Sequence, residues 1–135
     1  MIVAVLSDIH SNGDALDAVL ESARTEGAAS WWCLGDVVGY GANPRECLDI
    51  ARSFRLTILG NHDQAALFDP EGFSPTAERA IFWTRDELES ARERPEARHA
   101  RWEFLAERPR THRENGFQFV HGSARRSAKS SMNGT

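Results

Sequence analysis

Met1-Ile2-Val3-Ala4-Val5-Leu6-Ser7-Asp8-Ile9-His10 opens the chain with an aliphatic run that stops abruptly at a serine, an aspartate and, two residues on, a histidine. A run this short, without a basic segment before it, is neither a secretion signal nor a membrane span. It reads as a buried first strand whose carboxyl end delivers polar, metal-capable side chains.

The same arrangement recurs downstream. Trp31 to Leu34 is followed by Gly35-Asp36, Leu56 to Leu59 by Gly60-Asn61-His62-Asp63, and the alternating Phe117 to Val120 by His121-Gly122-Ser123. Between these runs lie helical signals. Leu16, Val19, Leu20 and Ala23 recur at helical spacing and Gly27 ends the pattern; Asn43-Pro44-Arg45-Glu46 starts a helix that runs to about Arg52. Ser74-Pro75 starts another with Ala77, Ile81 and Leu88, and a further helix holds Trp102 and Leu105 before Pro109. Strands alternating with helices predict an α/β fold with parallel neighbours, carrying an all-helical insert over about 74–108.

Composition sets outer bounds. The 135 residues, 41% hydrophobic, suffice for one domain with a core of its own. Sixteen basic against twenty acidic residues give a net charge of −4, which argues against a dedicated nucleic-acid surface and against an anionic-membrane binder. The arginines and glutamates from Arg85 to Arg108 have mixed signs and read as solvated helix faces. Cys33 and Cys47 form no disulfide or zinc-finger pattern, so a reducing cytoplasm is the expected location. Residues 124–135 have no aliphatic periodicity and are expected to form a disordered tail after a domain ending at Ser123.

In open α/β sheets, ligands gather outside the carboxyl ends of the strands. Asp8 and His10, two residues apart, can chelate one divalent cation through oxygen and nitrogen, and Asp36 has two oxygens with which to bridge two. Asn61 supplies a neutral oxygen. Gly35, Gly39 and Gly60 let the backbone turn sharply and come close to a metal or phosphate. Two cations roughly 3.5–4 Å apart can bind a phosphoryl group and lower the pKa of a bridging water. His62 is then a candidate to protonate the leaving oxygen or steady developing charge, and Asp63 either orients that imidazole or caps a helix. Singly, each of these motifs is more simply a turn, a cap or a strand-end histidine. Their ordered recurrence at four strand ends is what points to a site. No Gly-x-Gly-x-x-Gly loop follows the first strand, which speaks against a dinucleotide-binding domain.

Asp8-x-His10, Gly35-Asp36 with Gly39, Gly60-Asn61-His62-Asp63 and His121 resemble, in order, the signature of the calcineurin-like metallophosphoesterases. Leu34 to Pro44 and Val120-His121-Gly122-Ser123 are similar to its small bacterial and archaeal branch of phosphodiesterase and diadenosine-tetraphosphatase-like proteins. The resemblance implies the N-terminal part of a four-layer α/β/β/α sandwich. It also implies two divalent ions, manganese, iron or zinc, the first held by Asp8, His10 and Asp36 and the second by Asp36, Asn61 and His121, with His62 as the catalytic histidine. The implied reaction is hydrolysis of a phosphodiester, phosphomonoester or dinucleoside polyphosphate, with a phosphorylated small molecule or nucleotide as partner.

Members of that family continue to a Gly-His-Thr-His-type motif that gives each metal one more histidine, and nothing here corresponds to it. The expectation is therefore an incomplete sandwich. Arg126-Ser127-Ala128-Lys129 fits a shifted reading of Asp-Pro-Leu-Asn codons, which suggests a frameshift or a truncated gene. The competing expectation is an inactive fragment, or a metal-binding or scaffolding module without turnover.

Overall fold

The protein is represented by a computed structural model that describes residues 1–122. Three parallel strands, β1 (Ile2–Leu6), β2 (Ala28–Cys33) and β3 (Leu56–Thr57), form a sheet in the order β1-β2-β3. Helix α1 (Gly13–Thr25) connects the first pair and α2 (Pro44–Ala51) the second. Three helices follow, α3 (Asn61–Leu67), α4 (Pro75–Leu88) and α5 (Pro95–Ala106), and then an antiparallel hairpin of β4 (Thr111–Glu114) and β5 (Phe117–Val120). The α/β class and parallel pairing match the expectation. The tail at 124–135, the Ser123 boundary and the altered frame lie outside the described residues.

Both faces of the sheet are packed. On one, Cys33, with Leu6 and Trp31 beside it, meets Leu16 and Leu20 of α1, Cys47, Leu48 and Ala51 of α2, and Leu88 and Leu105 of the later helices. On the other, Trp32, Leu56 and Ile58 pack with Val3, Leu34 and the hairpin's Phe119, whose ring stands edge-on to Trp32 at 5.1 Å. Alternation along β2 causes this split, since successive side chains leave opposite faces. Arg55 fastens the hairpin to the sheet by an ion pair with Glu114 at 3.2 Å.

Several sequence expectations are corrected. β1 is not buried: Ile2 is 54% and Val5 50% exposed, because β1 is the edge strand, with β2 as its only partner among the described residues. The third strand is shorter than Leu56 to Leu59, because Leu59 leaves the ladder and donates its N–H to Pro109 at 2.7 Å. β4 was not expected; Thr-His-Arg-Glu has no apolar signal, and the hairpin is specified instead by Asn115 and Gly116, both with positive φ (53° and 82°), the geometry of a tight two-residue turn. Nor are the arginines from Arg85 to Arg108 all merely solvated. Arg101 is 7% exposed and bridges Asp49 of α2 and Glu93, and Arg85 donates to the carbonyls of Ala65 and Ala66. No helix among the described residues is long and apolar enough to cross a membrane.

Candidate metal centre

The loops after β1 and β2 lie side by side, joined by backbone hydrogen bonds from Asp8 N to Gly35 O (3.0 Å), His10 N to Asp36 O (2.9 Å) and Ser11 N to Val37 O (2.8 Å). This zipper holds Asp8, His10 and Asp36 in left-handed backbone conformations, with φ of 57°, 48° and 59°. Such conformations are unfavourable for side-chain-bearing residues and persist only where the surroundings impose them. Here they turn two carboxylates and an imidazole toward one point. His10 Nε2 lies 3.4 Å from Asp8 Oδ1 and 3.7 Å from Asp36 Oδ2.

His121, arriving at the end of β5, completes the cluster from the far side. Its Nδ1 is hydrogen-bonded to the Leu34 carbonyl at 2.8 Å, which directs Nε2 toward Asp36 Oδ2 at 3.2 Å. Asn61, the first residue of α3, lies with its Oδ1 2.9 Å from that same Nε2. Turned the other way, the Asn61 amide would donate to His121 Nε2 at 2.9 Å and to Asp36 Oδ2 at 3.0 Å. The first orientation suits a protonated His121 and presents the oxygen a cation would need.

Asp36 is the hub. Donor atoms of Asp8, Asp36 and His121 lie within 4.8 Å of one another, and so do those of His10, Asp36 and His62. Hard carboxylate oxygens combined with imidazole nitrogens suit divalent transition ions, so the donor set fits the cations expected from the sequence. His10 also lies within 3.7 Å of both Asp8 and Asp36, the expected first set, while His62 approaches the same cluster from the His10 side. Burial alone would raise the Asp36 carboxyl, but hydrogen bonds from His121 and from the His62 backbone N–H (2.9 Å) outweigh it and hold the group below its ordinary range. The hydrogen bond to Asp36 in turn pushes His121 up to about 9, against its own desolvation. Burial lowers His62.

Asp63 does not face the His62 ring. Its fully buried carboxylate accepts N–H bonds from Asp36 (2.8 Å), Val38 (3.1 Å) and Gly60 (3.0 Å). It caps α3 and clamps the loop after β2 to the loop after β3, which favours the capping alternative over orientation of the imidazole. Burial pushes its carboxyl up to about 6, opposed by those three donors. Gly60 fits because a Cβ there would run into the Asp36 backbone nitrogen and carboxylate, and Gly39 turns with φ of 106° directly against His62. Gly35, with φ of 103°, makes the turn before Asp36.

Two cavities flank the centre. One, of about 600 Å³, is bordered by Asn61, His62 and His121 on one side and by Glu71, Phe73 and Arg110 on the other. The second, about 590 Å³, lies beyond Asp8 and His10, along Leu16, Val19 and Tyr40. Tyr40 and Phe73 were not singled out from the sequence, although a tyrosine between two glycines, Gly39 and Gly41, was the available signal.

The sequence profile of the calcineurin-like phosphoesterases matches residues 1–132, so the chain belongs to that family. An uncharacterized protein of Methanocaldococcus jannaschii, MJ0912, is 45% identical over 87 residues, covering 62% of this chain and 36% of its own length. The crystal structure of a metallophosphoesterase from Sphaerobacter thermophilus superposes with a TM-score of 0.72 at 33% identity, over 91% of this chain and 47% of that one. A second solved structure, provisionally named a diadenosine tetraphosphatase, shares the fold with a TM-score of 0.61 at 18% identity, over 90% of this chain and 50% of its own. The chain thus spans half or less of the relatives it matches.

Proposed function

We propose that this chain carries part of a metal-dependent phosphoesterase site acting on a phosphodiester, phosphomonoester or dinucleoside polyphosphate. The observation that carries the proposal is the convergence of Asp8 and His10, Asn61, and His121, from three strand ends, on the single buried carboxylate of Asp36. Asp8, His10, Asp36, Asn61 and His121 would hold two divalent ions, manganese, iron or zinc, and Asp36 would be shared between them. When bound, such ions supply Lewis-acid polarisation of a phosphoryl oxygen and a nucleophile at neutral pH.

The chain's own residues would do the rest. Asp63 keeps the Asp36 loop in its left-handed turn, and the Leu34 carbonyl fixes the His121 ring so that Nε2 faces the centre. His62, whose burial favours the neutral imidazole, would hold a proton for the leaving oxygen or donate a hydrogen bond to charge developing on the phosphate. The cavity bordered by Phe73 and Glu71 offers space for the substrate's organic portion.

A second reading is a metal-binding module without turnover, since the donor cluster around Asp36 could hold a cation whether or not a substrate is hydrolysed. The experiment that separates the two is hydrolysis of bis-p-nitrophenyl phosphate with added manganese, compared with Asp36→Ala and His62→Ala. Activity lost in both variants supports turnover. Manganese binding without activity above the variants supports the second reading.

A further inference from the structure

The His62 residue is only 7% exposed, yet its ring Nδ1 has no hydrogen-bond partner among the described residues. Catalytic imidazoles are ordinarily oriented by a carboxylate or carbonyl on the nitrogen away from the chemistry. Here the adjacent carboxylate, Asp63, is engaged by three backbone N–H groups. What surrounds the His62 ring is aromatic. Tyr40 lies 4.8 Å away at 48°, Phe73 stands edge-on at 5.1 Å and 76°, and His10 at 4.8 Å and 74°.

The backbone around Tyr40 is built for this contact. Tyr40 has φ of 54°, a conformation a tyrosine adopts only where its surroundings impose it. A Cβ at Gly39 would stand 2.8 Å from His62 Nδ1, and one at Gly41 would run into the His10 carbonyl. Both neighbours must be this small for the Tyr40 ring to rest on His62 and, at 5.1 Å, on His10. Phe73 comes from the segment between α3 and α4 and borders the same cavity as His62.

We propose that Tyr40 and Phe73 are the positioning residues of His62, an aromatic clamp that holds the imidazole beside Asp36 while its Nδ1 has no hydrogen-bond partner among the described residues. Packing against the tilted Tyr40 ring and the edge-to-face Phe73 ring restricts ring rotation without consuming either nitrogen, so the ring's place is fixed while the choice of protonated nitrogen stays open. The catalytic meaning of the clamp rests on the role proposed for His62 above. Its existence does not.

The test uses the full chain and the ring carbon–proton correlation of His62, assigned by its disappearance in His62→Ala. Ring currents from Tyr40 and Phe73 are expected to displace this resonance from the free-imidazole position. Tyr40→Leu and Phe73→Leu should each move it toward the free-imidazole position, and Tyr40→Phe should leave it in place. Should Phe73→Leu fail to fold, Tyr40→Leu still decides, because Tyr40 is 55% exposed and outside the core. A resonance unmoved in Tyr40→Leu overturns the clamp, and so does an equal move in Tyr40→Phe, which would assign the effect to the hydroxyl. With manganese and aryl phosphodiesters of graded leaving group, Tyr40→Leu should lose on the order of 10-fold more rate on the poorest leaving group than on the best. His62→Ala should do the same and show no further loss in the double variant; additive losses would overturn positioning through His62. A wild-type chain without hydrolysis sinks the proposed function, and the resonance then decides the clamp by itself.

Discussion

The Asp63 carboxylate accepts the backbone N–H of Asp36 at 2.8 Å, so a residue that faces away from the donor cluster sets the position of the residue at its hub. Asp63→Ala would strand the N–H groups of Asp36, Val38 and Gly60. Each buried donor left unpaired costs on the order of 1–3 kcal/mol, so the expected destabilisation is roughly 3 kcal/mol or more. Denaturant unfolding measures this, and manganese titration of the folded fraction should show weaker binding. A variant with unchanged stability would mean that water replaces the carboxylate.

Gly60→Ala tests close approach rather than backbone conformation. Gly60 has an ordinary φ of −88°, but an added methyl would overlap the Asp36 nitrogen and carboxylate. The expected result is a folded or partly destabilised protein whose manganese affinity falls at least as far as that of Asn61→Ala. Equal affinity for Gly60→Ala and wild type, measured by electron paramagnetic resonance of free manganese, would show that the loops yield.

Much of this centre was legible in the sequence because strand ends are where an α/β sheet must expose its polar residues. Asp8, His10, Asp36, Asn61 and His121 follow apolar runs, and the fold brings them together. What was not legible depends on direction. Asp63 next to His62 reads equally as an orienting carboxylate or a cap, and only the path of α3 turns it toward Asp36. The hairpin was missed because β4 is polar, although Asn115-Gly116 carries its turn chemistry. Arg101 and Arg85 look like surface charges in a mixed run, and only the placement of α2 and α3 gives them buried partners.

Cation binding should be strongly pH dependent through His121. Its folded value of about 9 lies above the ordinary 6.5. The stabilisation it gives the cation-free protein is therefore complete below about 6.5 and lost as pH rises through about 9. A cation must displace that proton, so affinity should rise with pH up to about 9 and binding at pH 7.5 should release protons. Calorimetry in buffers of different ionisation enthalpy measures the release. No buffer dependence at pH 7.5 would contradict a protonated His121.

Cys33 and Cys47 report on the integrity of the core. Both are fully buried, and burial pushes each thiol up to about 12. Neither should react with a thiol-labelling reagent at pH 8 while the chain is folded, since the thiolate is the reactive form. Both should label in denaturant. Rapid labelling of one cysteine in buffer would show that its strand or helix opens locally, Cys33 reporting on β2 and Cys47 on α2.

Helix α3 is only seven residues long and carries Asn61, His62 and Asp63 at its start, so its far end matters to the site. A helix of that length is marginal unless both ends are satisfied. Asp63 serves the first turn. At the other end Arg85, from α4, donates Nε to the Ala66 carbonyl at 2.9 Å and Nη2 to the Ala65 carbonyl at 2.8 Å, with its guanidinium also over the Phe82 ring. Arg85→Leu keeps most of the apolar contact and removes both donors. For a half-buried side chain the expected cost is about 1–2 kcal/mol, at the lower end for hydrogen bonds from a charged group. Arg85→Lys should recover little, because an ammonium cannot hold two carbonyls in the planar fork. Fraying should spread from Leu67 back toward His62, so hydrogen exchange at the α3 amides should rise more than at α1 in Arg85→Leu, and cation affinity should fall with it. Faster exchange without loss of affinity would show that the first turn of α3 is held by Asp63 alone.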